Sequence, residues 1–402
     1  MICSTSMPRF GDKQNSDFFE EYLQRLLTHR DASGLTDMIG GIEALMIGVE
    51  PGNSVEYITE LVLMTPYQYL VTLDSEKHLT HVLRIDMNSP DILLREVKHA
   101  EHNDIFRSLN DLYPVGAKRP HSRYLGEILL TTNRHEVVAL QQVREFRFFS
   151  IGQLADLNLP LKVSISKSSP YTQNGVGYME RPENAIRFYQ HGNCVILHSA
   201  QAANDRGNEM QTRLGIWDLL CPIDHLATRV YSQNRQSAIL EYLALSSYYF
   251  WGSYDIADQN SSTNVTKNTR LDPESKSPAK VFTANNHPYC VNHLDKMPSP
   301  TETFVRNYGP RMHHIAVEVK DGNQHIDVVV DAITAQGKGF LLNTVGSREE
   351  GLKQIFSSAS DFSSLIIEYV QRFDDFDGFF TKENVASLTY AAGQEESVSK
   401  EL

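Results

Sequence analysis

An internal repeat constrains this chain more than any other feature. Residues 223–245 read IDHLATRVYSQNRQSAILEYLAL, and residues 312–335 read MHHIAVEVKDGNQHIDVVVDAITA. Each copy opens as a strand of the form apolar-x-His-apolar-Ala, passes a short polar turn and enters a helix. In the second copy Ile326, Val329, Val330 and Ile333 fall at i, i+3, i+4 and i+7, the apolar stripe of a packed helix. Ile239, Tyr242 and Leu243 give a shorter version in the first copy. Strand-like segments follow each helix: YYFWGSYDI and AKVFTANN, then GFLLNTV, LKQIFSSA and SLIIEYVQR. His225 and His314 therefore hold the same place in two copies of one βα unit. If a pseudo-two-fold axis relates the copies, both imidazoles point into one concavity.

Weaker echoes run through the N-terminal half. Residues 41–50 read as a strand before the helical SVEYITELVLM, and RYLGEILLTT precedes the helical HEVVALQQVREF. Near residue 190, AIRFYQHGNCVILHSA reads as two strands joined by a His-Gly turn. The fold class expected is α+β, with two domains of paired βαβββ modules, the N-terminal units lying near 41–105 and 124–200. Residues 17–30 form an amphipathic helix on Phe18, Tyr22, Leu23, Leu26 and Leu27. The polar stretch 258–277 has no apolar period and reads as a loop or a partly disordered insertion.

Charge and composition exclude several function classes. A net charge of −13 and a pI near 5.6 argue against a nucleic-acid binder, which needs a basic face, and against attraction to anionic membranes. No window approaches the 18 or so apolar residues of a membrane span. Cys3, Cys194, Cys221 and Cys290 are scattered, as in a reducing compartment. The N-terminus lacks the apolar core of a secretory signal. A cytoplasmic protein is the expectation, and a homo-oligomer is compatible with it. There is no GxSxG, no P-loop and no GxGxxG after a strand.

Two histidines and one carboxylate on one face of an octahedron suit Fe(II), leaving three positions for substrate and O2. The candidate carboxylate is Glu368, inside the apolar run 365–370. Burying that charge without compensation costs several kcal/mol, which a divalent cation offsets. The same pattern allows Glu368 to face solvent, alternating with Ile367 and Tyr369. A lone strand histidine is more often a core or edge residue than a ligand, but the matched placement of His225 and His314 reverses that preference. His313 is expected on the opposite side of its strand from His314. His121, His198, His287 and His293 lack comparable support and read as structural or surface residues. Asp374, Asp375 and Asp377 lack the spacing of a calcium loop and read as a solvated turn.

On these residues the C-terminal half, 221–390, resembles the 4-hydroxyphenylpyruvate dioxygenase family of the vicinal oxygen chelate superfamily. The match is carried by Ile223-Asp224-His225, His314-Ile315-Ala316, Gln354-Ile355-Phe356 and Ile367-Glu368-Tyr369-Val370-Gln371-Arg372. YFWGSYDI and DGFFTKENVASL look like further family segments. The resemblance implies Fe(II) held by His225, His314 and Glu368. It implies a 2-oxo acid that chelates the iron, loses CO2 and is oxygenated by O2. Gln354 and Phe356 would line the pocket, and Asn384 would sit on the C-terminal helix that closes it. The family's Asn-Glu-Pro element is replaced by His293-Leu294-Asp295-Lys296, and its Gln-x-Gln pair by Pro300-Thr301-Glu302-Thr303. Val385 replaces the aromatic that follows the matched Asn384, and a long helical excursion shrinks to 343–352. The metal chemistry reads as retained and the substrate end as rebuilt.

The domains expected are a 1–35 extension, a structural 36–205 domain, a metal-binding catalytic 206–390 domain and an acidic 391–402 tail. Two other readings use the same module. One is an extradiol dioxygenase that cleaves a catechol ring without releasing CO2. The other is a non-catalytic protein that sequesters a small molecule.

Overall fold

The computed structural model describes residues 13–99, 112–113, 123–150, 153, 163–180, 193–268, 277–288, 300–374, 376 and 378–398. These residues form two curled, mixed, eight-stranded sheets. The N-terminal sheet holds β1 (Ile39–Val49), β2 (Gln68–Asp74), β3 (His78–Arg84), β4 (Asp91–Val97), β5 (Arg123–Thr131), β6 (Val163–Ile165), β7 (Gly175–Glu180) and β8 (Asn193–Val195). The C-terminal sheet holds β9 (Leu220–Arg229), β10 (Tyr248–Ile256), β11 (Ser261–Asn268), β12 (Ala279–Asn285), β13 (Arg311–Val319), β14 (Val345–Ser347), β15 (Leu352–Phe356) and β16 (Ile366–Arg372). Their orders are β6-β7-β5-β1-β4-β3-β2-β8 and β10-β11-β12-β9-β13-β16-β15-β14. Read from opposite ends, both run through the same succession of units, which is the α+β architecture of paired βαβββ modules.

The central pair of each sheet is antiparallel, and the two pairs share one register. In β9 and β13, Ile223 lies opposite Val317, His225 opposite Ala316, Ala227 opposite His314, and Met312 opposite Thr228. Asp224 and His313 are left over, each the extra residue of a β-bulge. In β1 and β5, Ile42 lies opposite Leu129, Ala44 opposite Ile128, Met46 opposite Gly126, and Ile47 opposite Tyr124, leaving Glu43 and Leu125 over. His225 thus corresponds to Ala44 and His314 to Gly126. Glu368 lies beside Ala316, and Gly177 beside Ile128, so these two correspond as well.

Ala44, Gly126 and Gly177 offer no donor atoms in their side chains. The N-terminal interior is instead packed with Met46, Val82, Leu93, Ile128, Ile165 and Met179, all buried. Each such side chain contributes about 1.5–3 kcal/mol on burial. A larger apolar core joins the halves, with Leu45 and Tyr124 from one sheet and Leu226, Ile315 and Tyr369 from the other. Buried hydrogen bonds cross the same seam: Tyr369 Oη donates to the Met64 carbonyl at 2.8 Å, and Tyr178 Oη to that of Leu245 at 2.6 Å.

Two elements differ from expectation. Within 258–277, Ser261–Asn268 is a strand in the interior of the sheet, and 269–276 lies outside the described residues. Its Ser, Thr and Asn side chains hide the strand signal, because they are buried where apolar residues usually sit, two of them bonded to backbone. Asn264 Nδ2 donates to the Phe282 carbonyl at 3.2 Å, and Thr266 Oγ1 to that of Lys280 at 2.9 Å. Of the two strands read near residue 190, β8 is present, 181–192 lies outside the described residues, and His198 opens the helix His198–Leu214. That helix presents small residues, Ala200, Ala203 and Gly207, to the helix Ser54–Met64. A Cβ on Gly207 would lie 2.7 Å from Val62 Cβ.

Candidate metal centre

Three adjacent strands deliver the triad. His225 comes from β9, His314 from its antiparallel neighbour β13, and Glu368 from β16, which runs parallel to β13. The two Nε2 atoms stand 3.2 Å apart. Glu368 Oε2 lies 3.0 Å from His225 Nε2 and 3.2 Å from His314 Nε2. Among the described residues, this is the one group of three or more His, Cys, Asp or Glu side chains arranged to hold a metal ion.

The residues fit a divalent cation on two counts. Glu368 is 1% exposed and its Oε2 has no hydrogen-bond partner, although it faces two imidazole nitrogens, an arrangement that a shared cation would satisfy. The spacing also agrees. Donors about 2.1 Å from a shared ion lie about 3.0 Å apart on an octahedral face and about 3.4 Å apart in a tetrahedron. The triangle here, with edges of 3.0 to 3.2 Å, is nearer the octahedral case.

Partners behind the triad orient each donor. His225 Nδ1 donates to Asp224 Oδ2 at 2.6 Å, which turns the Nε2 lone pair inward. Asp224 is gripped through both oxygens by Arg372, which also donates to the Phe379 carbonyl at 3.1 Å. Burial pushes the Asp224 carboxyl up, but Arg372 and His225 more than offset it and hold it well below the usual carboxylate range. Gln354 Nε2 donates to Glu368 Oε1 at 2.7 Å, leaving Oε2 for the imidazoles. Asn384 Nδ2 in turn donates to Gln354 Oε1 at 3.2 Å.

His313 corrects the strand-alternation reading. The bulge puts it on the same side as His314, with the two Nδ1 atoms 2.9 Å apart. With His314 Nε2 turned to the centre, His314 Nδ1–H donates to His313. The pseudo-two-fold is thus broken chemically: a carboxylate backs one imidazole and a neutral ring backs the other. Burial alone would lower His225, but Glu368 and Asp224 raise it to about 9. Burial, aided by the positive charges of His225 and Arg229, holds His314 well below 6.5, and burial with Arg229 does the same to His313.

The remaining expected residues take distinct places. Phe356 lines the chamber, its ring 4.8 Å from that of His314. Gln354 lines it too, while Asn384 reaches the centre only through Gln354. His198 and His287 are exposed, and His121 and His293 lie outside the described residues. Asp374 is exposed and meets Arg348 at 2.7 Å, with Asp375 and Asp377 outside the described residues. Sequence reasoning missed Arg229, Phe379 and Phe380. The rings of Phe379 and Phe380 lie 5.6 and 5.1 Å from that of His225. The adjacent pair in DGFF was a visible signal, whereas Arg229 at the end of β9 carried none.

No protein-family model and no curated protein matches the chain. Solved structures do. A triple mutant of 4-hydroxymandelate synthase from Streptomyces coelicolor matches with a TM-score of 0.61 at 14% identity, over 89% of this chain and 99% of that one. A xylose isomerase-like TIM barrel/4-hydroxyphenylpyruvate dioxygenase fusion protein matches with a TM-score of 0.53 at 13% identity, over 89% of this chain and 52% of the fusion. This chain therefore spans about half the fusion's length. At such identities the likeness establishes the fold, which is that of the vicinal oxygen chelate proteins.

Proposed function

We propose that this chain, built on the vicinal oxygen chelate fold, is a non-haem Fe(II)-dependent dioxygenase that oxidatively decarboxylates a 2-oxo acid and oxygenates the remainder with O2. The observation that carries the reading is the buried triangle of His225, His314 and Glu368, with edges of 3.0 to 3.2 Å. When bound, the metal supplies Lewis acidity toward a chelating oxo acid and an electron source for O2.

The chain's own residues hold that chemistry in place. Asp224 and Arg372 fix the tautomer of His225, and Gln354 fixes the rotation of Glu368. Phe356 and Phe380 form apolar walls that exclude water from the chamber. Arg229 lines the same chamber with its guanidinium 4.9 Å over the Phe304 ring. A cation there favours an anionic substrate, which suits an oxo acid. One fold-sharing structure contains a 4-hydroxyphenylpyruvate dioxygenase, and 4-hydroxyphenylpyruvate is a 2-oxo acid.

The test is anaerobic Fe(II) reconstitution, then O2 uptake and CO2 release over aromatic and aliphatic 2-oxo acids. Uptake coupled to CO2 and lost in Glu368→Ala is expected. Iron binding without uptake on any oxo acid would overturn the proposal, and catechols would then test for ring cleavage.

A further inference from the structure

A second cavity, of about 570 Å3, lies between the two halves and includes none of the triad. Its size falls within the roughly 300–1,000 Å3 typical of small-molecule sites. The strand β12 separates it from the metal chamber. Lys280 and Phe282 line the second cavity, while Val281 and Thr283, on the other face, line the chamber. We propose that this cavity is a second small-molecule site, which takes an uncharged planar molecule carrying adjacent N–H and C=O groups, as in an aromatic carboxamide or lactam.

The charge state follows from the buried polar groups. Lys280 Nζ lies 3.0 Å from Glu127 Oε1, and both residues are 1% exposed. Tyr124 Oη donates to the other oxygen of Glu127 at 2.8 Å. The carboxylate is therefore occupied at both oxygens, and the two formal charges cancel. A charged ligand set against that neutral pair, in the buried depth of the cavity, would bring an unbalanced charge there, which is unfavourable. An uncharged ligand avoids that.

Asn174 supplies the recognition element. It is 5% exposed and lines the cavity, yet neither its Oδ1 nor its Nδ2 has a hydrogen-bond partner. Its backbone is anchored, with the carbonyl accepting from Ser169 N at 2.9 Å and the amide N donating to Thr172 Oγ1 at 3.3 Å. A buried primary amide with both atoms open presents one donor beside one acceptor. An amide or lactam edge answers both at once. Phe146, Val176, Tyr242, Leu245 and Phe282 give the apolar walls that suit a flat ring. Exposed Glu145, Arg147 and Pro170 mark the mouth.

Benzamide is the probe, with benzoate as its charged isostere, titrated calorimetrically into the metal-loaded full chain. Saturable benzamide binding, at least tenfold tighter than benzoate, is expected. Asn174→Leu should weaken it tenfold or more while leaving metal stoichiometry intact and the melting temperature unchanged or higher, since the free amide has no bonds to lose. Ala238→Phe, which fills the cavity from the helix Arg235–Leu245, should weaken it equally. A wild-type crystal soaked in benzamide should place the amide on Asn174 even if neither variant folds. No saturable binding, equal affinity for benzoate, or density only in the metal chamber would overturn the proposal.

Discussion

Removing the metal should leave a protein whose stability peaks near pH 6.5 and declines on both sides for opposite reasons. His225 is raised to about 9 in the fold, whereas an unfolded histidine titrates near 6.5. Between these values the folded chain holds a proton that the unfolded chain has released, so stability falls as pH rises. The contribution is complete below pH 6.5 and gone above about 9. A gap of about 2.5 pH units corresponds to about 3 kcal/mol. At about 2.1 cal/mol/K of unfolding entropy per residue, a 402-residue chain shifts by roughly 1.2 °C per kcal/mol, so the melting temperature should drop by about 4 °C across that window. On the acid side the sign reverses. Burial and neighbouring positive charges hold His313 and His314 well below 6.5, and burial lowers His81 to about 4. Below pH 6.5 the unfolded chain takes up protons at these three positions that the folded chain refuses, each worth about 1.4 kcal/mol per pH unit. The assay is urea unfolding of chelator-treated and metal-loaded protein from about pH 5 to about pH 9.5. A bound cation displaces the His225 proton, so loading should erase the alkaline decline. Stability of the chelator-treated protein that is flat or rising between pH 6.5 and 9 would refute the reasoning, as would an alkaline decline that survives in His225→Asn.

Four further outcomes are expected. His314→Ala should abolish metal binding, whereas His313→Ala should keep full stoichiometry and weaken affinity by about 10–100-fold, measured by competition with a chromophoric chelator. Asp224→Asn should weaken metal affinity on the same scale. Arg372→Met, which strands the Asp224 carboxylate, should destabilise the fold by about 3–5 kcal/mol in urea. Lys280→Met alone should cost a comparable amount by leaving the Glu127 charge buried without its cation, while Lys280→Met with Glu127→Leu should cost less, about 1–3 kcal/mol, because only the buried Tyr124 hydroxyl then loses its acceptor, as a double-mutant cycle would show.

The repeat made the frame legible. One recurring strand pattern brought His225 and His314 to corresponding strands, and Glu368 stood out as a charge in an apolar run. Bulges are what the sequence hid. Residue alternation gives no sign that Asp224 and His313 are extra residues, so it sends His313 to the wrong face and gives Asp224 no role. Register depends on pairing across strands far apart in the chain, and no local pattern encodes it. The strand Ser261–Asn268 was illegible for a different reason: its burial rests on side-chain hydrogen bonds to backbone, so it lacks the apolar alternation that marks most strands. The helix His198–Leu214 was hidden by its close packing, which selects small residues over an apolar stripe.

The matched register of the two sheets also limits what evolution or design can do with this chain. Gly126 occupies the place of His314 in the N-terminal frame, at φ 143°, and a Cβ there would sit 1.9 Å from the Gly175 carbonyl oxygen. That socket is closed by main chain, so no exchange of side chains reopens it. A histidine at position 126 would have to prise β5 from β7 along a paired edge, and the sheet would lose hydrogen bonds before any ion arrived. The two halves are alike in frame but cannot trade roles by point substitution, and a designer seeking a second metal here would have to re-thread β7 first.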